Sequence, residues 1–201
     1  PEDADHDIQA SKDGRVFVDT YSRPDLPPIS VVRDRSGAIV VELEIADIEG
    51  LLATGWRFPE QHTLKARDGV TDIHALVIRP TTFDPDRRYP VLDSIYPGPQ
   101  RVQAPVGFPA TDTSSIAGFW AAQSLAELGF IVVMIDAQGM PFRSKAFHDF
   151  AYRNFEDGGG LPDHIVALRQ LGQRDPSLDL SRVGIYGHSG GGYASVKALC
   201  Q

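Results

Sequence analysis

The rhythm of apolar and polar positions changes near residue 46. Before it, apolar residues alternate with polar ones in short runs. Residues 15–21, 28–33 and 38–45 each read as a strand; in the third, Val41, Leu43 and Ile45 alternate with Glu42 and Glu44, the period of a half-buried strand. Residues 34–37, Asp-Arg-Ser-Gly, are a turn signal. Short strands on tight turns predict an antiparallel meander, as in one propeller blade, with too few strands to be stable alone. The acidic stretch at residues 1–7 reads as a tail.

After residue 50 the pattern predicts an α/β arrangement. Residues 62–66 and 73–78 read as strands flanking the turn Arg67-Asp68-Gly69, and residues 89–96 as another. Residues 130–135 are apolar without alternation, as in a strand buried on both faces of a parallel sheet. A helix is expected over 116–128, with Ile116, Phe119, Trp120 and Leu128 apolar and Gly129 ending it. A long connection, residues 136–160, follows; such a loop inside a compact domain is functional or holds a short element. Pro162 opens the next helix, with Asp163 near its positive end and Ile165, Leu168 and Leu171 marking its buried side. Residues 183–186 read as a short buried strand, and a last helix starts near Tyr193. The expected division is residues 1–46, the end of an antiparallel domain, and 47–201, the first part of an α/β domain.

Composition narrows the partners. The 201 residues are 42% hydrophobic and 23% charged, enough for a globular core. A net charge of −8 argues against nucleic acid or an anionic membrane surface. Cys200 is the single cysteine, so no internal disulfide forms. No apolar run is long enough to span a bilayer, and no basic, apolar leader opens the chain. Periplasmic, secreted and cytoplasmic settings all stay open. No histidines and carboxylates have zinc-ligand spacing, so no metal and no cofactor is expected.

The chemistry concentrates at Gly187-His188-Ser189-Gly190-Gly191. G-x-S-x-G is a moderate signal alone, but here it follows a buried strand and precedes helix-forming sequence, the setting of a nucleophile elbow. The serine of such an elbow needs a strained backbone that projects its Oγ, and glycines on either side relieve the crowding. Gly187 and Gly191 fit that need. The N–H of Gly190, at the helix start, can face a developing oxyanion. A glycine-rich phosphate turn is the competing reading; the spacing G-x-G-x-x-G and the P-loop Lys-Ser/Thr are both missing here.

Several motifs then match one family in order. They are residues 16–22, Asp68-Gly69-Val70-Thr71 with Ile78-Arg79-Pro80, Tyr89-Pro90-Val91 leading to Tyr96-Pro97-Gly98-Pro99, residues 143–149, and residues 179–193. Over nearly its whole length the chain resembles the prolyl oligopeptidase family of serine peptidases, in its dipeptidyl peptidase IV-like branch. The resemblance implies the last strands of a β-propeller followed by the N-terminal part of an α/β-hydrolase fold. It implies Ser189 as nucleophile, Gly190 as one oxyanion donor through its N–H, and the Tyr96 hydroxyl as the other. It implies a peptide substrate and a parent protein that can form a homodimer. From the residues alone, Tyr96 could equally be a tyrosine capping a strand end. Two positions depart from the pattern: Gly190 stands where dipeptidyl peptidase IV has a tyrosine lining its proline pocket, and Gln138 where many relatives have arginine.

A serine nucleophile needs a base, and the base an orienting acid. In α/β-hydrolases the order is Ser, Asp, His, which puts both partners after Ser189 and beyond Gln201. His188 is adjacent in a tight turn and points away; His148 and His164 read as surface or loop-anchoring residues; His6, His62 and His74 fall on the tail and early strands. Asp136, at a strand end, is expected to hold the loop after it. The 201 residues alone are therefore expected to be inactive and poorly stable, with the 183–186 strand exposing an edge. An esterase or acylaminoacyl-type hydrolase, or a binding role for the segment alone, are the alternative readings.

Overall fold

The computed structural model describes residues 2–109, 118–155 and 159–200; the expected helix start at Ile116 lies outside them. The described residues fall into two compact units, one within Pro1–Phe58 and Pro105–Thr111, the other within Pro59–Ala104 and Asp112–Gln201.

The first unit is a four-stranded antiparallel sheet in sequential order: β1 (Asp5–Ala10), β2 (Val16–Arg23), β3 (Leu26–Asp34) and β4 (Ile39–Ile45). A short helix, α1 (Glu49–Leu52), follows. Three of these strands are those the alternation predicts, but β4 is not half-buried: Val41, Leu43 and Ile45 are all exposed. β1 is not among the three: the acidic start pairs with β2, from Asp5 opposite Ser22 to Ala10 opposite Phe17. Its inner contacts are polar, which is why hydropathy hides it. The buried Asp19 accepts from His6 Nδ1 at 2.8 Å and from Arg33 Nε at 2.7 Å. Hydrogen bonds to the Glu2 carbonyl and to Asp19 raise the His6 imidazole above its ordinary pKa. Trp56, Phe58 and Phe108 form an edge-to-face cluster with centroids 5.2 to 6.3 Å apart.

The second unit is a mixed sheet flanked by helices, the α/β class that the pattern predicts. Its strands are β5 (Glu60–Lys65), β6 (Asp72–Ile78), β7 (Tyr89–Ser94), β8 (Ile131–Asp136) and β9 (Leu178–Tyr186), in the order β5-β6-β8-β7-β9. β5, β6 and β8 pair antiparallel, and β7 runs parallel to both β8 and β9. The helices are α2 (Phe119–Ala126), α3 (Lys145–Asp149), α4 (Leu161–Arg174) and α5 (Gly190–Leu199). Ile131 through Ile135 on β8 are all 0% exposed, so this strand is buried on both faces, as its unbroken apolar run requires. Burying one such side chain is worth about 1.5–3 kcal/mol.

Two local features differ from expectation, and a third, the short element inside the long connection, follows it. β9 starts at Leu178 rather than near 183, because Tyr89 and Pro90 pair with Leu178 and Asp179 before a register shift. The long connection contains α3, capped by Ser144 Oγ accepting from the Phe147 N–H. On α4, Ile165 is 40% exposed, and the inward face carries Asp163 and His164 beside Leu168 and Leu171. His164 is thus a core residue, not a surface one: its Nδ1 lies 2.8 and 2.9 Å from the two oxygens of the buried Asp93. Asp163 does more than sit at a helix start. Its carboxylate accepts from the Arg67 N–H at 2.9 Å, Arg67 Nε at 2.8 Å and the Gln138 N–H at 3.0 Å. One buried side chain thereby ties the β5–β6 turn to the loop after β8.

Removing that carboxylate strands buried N–H donors, so Asp163→Ala should destabilise the protein by about 3 kcal/mol. Urea unfolding checks this; a loss within experimental error would contradict the clamp.

Candidate active site

β7 and β9 are parallel neighbours, and their C-terminal ends lie level: Ser94 is opposite Tyr186. The Ile95 N–H extends the pairing by donating to Tyr186 O at 3.0 Å. Two loops therefore leave the sheet side by side, one carrying Tyr96 and the other Ser189. The contact between them is too close for side chains. A Cβ on Gly187 would lie 2.2 Å from Ile95 O and 2.6 Å from Gly191 Cα; one on Gly191 would lie 2.1 Å from Ile95 O. Backbone atoms are what these positions would meet, so nothing can give way cheaply.

Between the two glycines the chain turns sharply. Ser189 has φ 53° and ψ −115°, a conformation that costs a non-glycine residue about 1–3 kcal/mol. It is exposed, and α5 begins at the next residue. The turn is held by Gly191 N–H donating to His188 O at 2.8 Å and Tyr193 N–H to Ser189 O at 3.1 Å. Gly190 is the first helical residue, so its N–H has no partner within the helix. Among the described residues, a Cβ there would meet Pro97 O alone, at 3.7 Å; against these residues glycine at 190 is not a steric necessity, unlike 187 and 191. The Tyr193 hydroxyl donates to Phe155 O at 3.0 Å, joining α5 to the end of the long connection.

Tyr96 is half-buried, with its Cα 3.6 Å from where a Gly191 Cβ would stand. The Arg101 guanidinium lies 5.3 Å from its ring centroid. The structure thus brings Gly187, Ser189, Gly190, Gly191 and Tyr96 to one edge of one sheet.

Two of the histidines, His6 and His164, are bonded to buried carboxylates away from Ser189, and three others stand near different groups. His6 is on Asp19, His62 is 3.6 Å from Glu60, His74 is 3.4 Å from Thr63 Oγ1, His148 is 4.0 Å from Asp149, and His164 is on Asp93. His188 is exposed. Among the described residues, no group of three or more His, Cys, Asp or Glu could hold a metal ion, and no helix is long and apolar enough to cross a membrane.

Sequence reasoning missed the polar residues beneath this edge. Asp136 does not hold the loop after it; its Oδ1 accepts from the N–H groups of Gln103 at 2.7 Å and Ala104 at 3.0 Å, residues on the Tyr96 side. Although the side chain keeps some exposure at the sheet rim, desolvation pushes its carboxyl up to about 6, against the opposing pull of those two N–H groups, His164 and Arg143. Gln103 is fully buried. The one available sequence signal was Asp93, a charge inside an apolar strand, which has to find a buried partner.

The comparisons with known proteins follow the same outline. The model of the prolyl oligopeptidase family of peptidases matches residues 116–201. Human dipeptidyl peptidase 8 is 33% identical over 144 residues, 71% of this chain and 15% of that protein. A probable dipeptidyl-aminopeptidase B of Tuber melanosporum is 30% identical over 202 residues, 100% of this chain and 21% of the relative. The chain therefore spans about a fifth or less of these relatives' length. Among solved structures, a Bacteroides ovatus protein described as a dipeptidyl aminopeptidase IV superposes with TM-score 0.76 at 27% identity, covering 94% of this chain and 26% of that one. Porphyromonas gingivalis dipeptidyl peptidase 4 superposes with TM-score 0.75 at 26% identity, covering 98% and 27%. The antiparallel sheet and the α/β unit thus find their counterparts within single larger proteins, and the chain belongs to the prolyl oligopeptidase family, on its dipeptidyl peptidase IV-like side.

Proposed function

We propose that the whole protein carrying this chain is a serine peptidase that cleaves short peptides, releasing dipeptides, through an acyl-enzyme on Ser189. The observation that carries this reading is the backbone of Ser189, strained at φ 53° between two glycines that admit no side chain. Such strain is stable only where the surroundings enforce it, and it collects at functional sites. The names of the relatives supply the dipeptidyl part.

In the proposed reaction, Ser189 Oγ bonds to the scissile carbonyl carbon while its proton passes to a base. The carbonyl electron pair moves onto oxygen, and the oxyanion accepts hydrogen bonds from the Gly190 N–H and the Tyr96 hydroxyl. Collapse expels the amine, which takes the proton from the base, and water then hydrolyses the ester by the same route. In this reading the sheet of residues 1–46 is the end of a propeller domain and the catalytic domain begins at 47, with residues 47–58 clustering in the first compact unit. The base and its acid lie on the part of the protein that follows α5, in the chain order Ser, Asp, His.

Gly190 favours a second reading. Among the described residues Pro97 O alone lies within contact of a Cβ there, and a glycine beside the serine suits an ester or acylaminoacyl substrate as well as a proline-containing one.

A fluorophosphonate probe should label the whole protein at Ser189, and Ser189→Ala should abolish labelling; labelling that survives the substitution would contradict the proposal. Gly191→Ala should slow labelling as severely, because its Cβ displaces the loop carrying Tyr96. Comparing a post-proline dipeptidyl anilide with a simple aryl ester discriminates the two substrate readings: preference for the anilide supports the dipeptidyl one, and turnover of the ester alone the second.

A further inference from the structure

The loop that carries Tyr96 is closed upon itself. It leaves the sheet at Ser94, the last residue of β7, and Gln103 returns to the same point: its side-chain Nε2 donates to Ser94 Oγ at 2.9 Å and to Ser94 O at 3.2 Å. Both residues are 0% exposed. The near end is pinned by Ile95 N–H on Tyr186 O, and the far end by the Gln103 and Ala104 N–H groups on Asp136 Oδ1. Compact loops whose ends meet hold their tips with little freedom. Without the closure, each released residue would regain about 1–2 kcal/mol of backbone entropy.

We propose that Asp136 and Gln103 are positioning residues for the Tyr96 hydroxyl, fixing the far end of the loop so that this donor is held in place before charge develops on the substrate. Neither residue needs to touch substrate. Asp136 stands at the end of β8, which is central in the sheet and fully buried over residues 131–135, so the loop is referenced to the centre of the sheet. At neutral pH the carboxyl is ionised, its pKa being about 6, and hydrogen bonds to a carboxylate are shorter and stronger than those to a neutral acceptor. The groups that favour its ionised form are the Ala104 and Gln103 N–H groups, with His164 from α4 and Arg143 from the loop after β8. Oxyanion stabilisation depends on preorganised donors, and a displacement of about 1 Å can cost about a hundredfold in rate.

This inference rests on the reading of Tyr96 as an oxyanion donor, and a double-mutant cycle in the whole protein separates the two. The variants are Tyr96→Phe, Asp136→Ala, Gln103→Ala and the pairs of each with Tyr96→Phe, with kcat and KM measured on a dipeptidyl anilide and thermal midpoints alongside. Tyr96→Phe should lower kcat by roughly a hundredfold or more. Asp136→Ala and Gln103→Ala should each lower kcat at least about tenfold with KM within about twofold, the mark of an interaction made in the transition state. In the Tyr96→Phe background their further effect should shrink to less than about twofold, since coupled residues are not additive. Asp136→Asn, whose Oδ1 still accepts from both N–H groups, should restore most of kcat. Should Asp136→Ala fail to fold, Gln103→Ala is read for the same signature. Equal losses with and without the Tyr96 hydroxyl, or a loss confined to KM, would overturn the positioning role and leave the donor intact. A Tyr96→Phe protein with undiminished kcat would overturn both.

Discussion

The contact on which the second unit is built is the approach of two backbone segments at Ile95. Its carbonyl oxygen occupies the space where side chains of Gly187 and Gly191 would begin. That packing fixes how far β9 can run beside β7, where α5 can start, and which residue takes the turn between the two glycines. The strain at Ser189 is a consequence. It is held by Ile95 bonding to Tyr186 below the turn and by the first hydrogen bonds of α5 above it. A residue in that conformation is stable only while both neighbours stay rigid, and the unbroken burial of β8 provides the rigidity.

The buried charges follow the same logic. Asp163 ties the β5–β6 turn to the loop after β8. Asp136 holds the far end of the Tyr96 loop, and Asp93 is matched by His164. None of these carboxylates is spent on the apolar interior as such; Asp163 and Asp136 satisfy backbone N–H groups of loops that have no ladder of their own. Burial of a carboxylate is costly unless it is paired or hydrogen-bonded, so such residues are found where several donors converge. For Asp136 they converge at the far end of the loop that carries Tyr96, and for Asp163 between the β5–β6 turn and the loop after β8.

This division explains what was legible in the sequence. β8 declared itself by an unbroken apolar run, residues 130–135, that matches its burial on both faces; β2, β3 and β4 declared themselves as strands by alternation, although β4 is exposed along its whole length. The elbow declared itself because its glycines are required by local crowding. β1 was hidden, since its contacts run through His6 and Asp19 rather than through apolar side chains. The inward face of α4 turns on His164 rather than Ile165 for a related reason: a histidine reads as polar until its partner, Asp93, is known. For Asp136 sequence order suggests the nearest loop, whereas its hydrogen bonds reach back to residues 103 and 104. Pairings between distant segments are tertiary facts, and no local pattern carries them.

The central claim is that the strained turn at Ser189 exists to present a nucleophile, and trapping the covalent intermediate tests it most directly. The whole protein, mixed with an activated ester whose acyl group leaves slowly, should gain the mass of one acyl group, and peptide mapping should locate it on Ser189. Turnover of the ester with no acyl adduct, or an adduct on any other residue, would contradict the account.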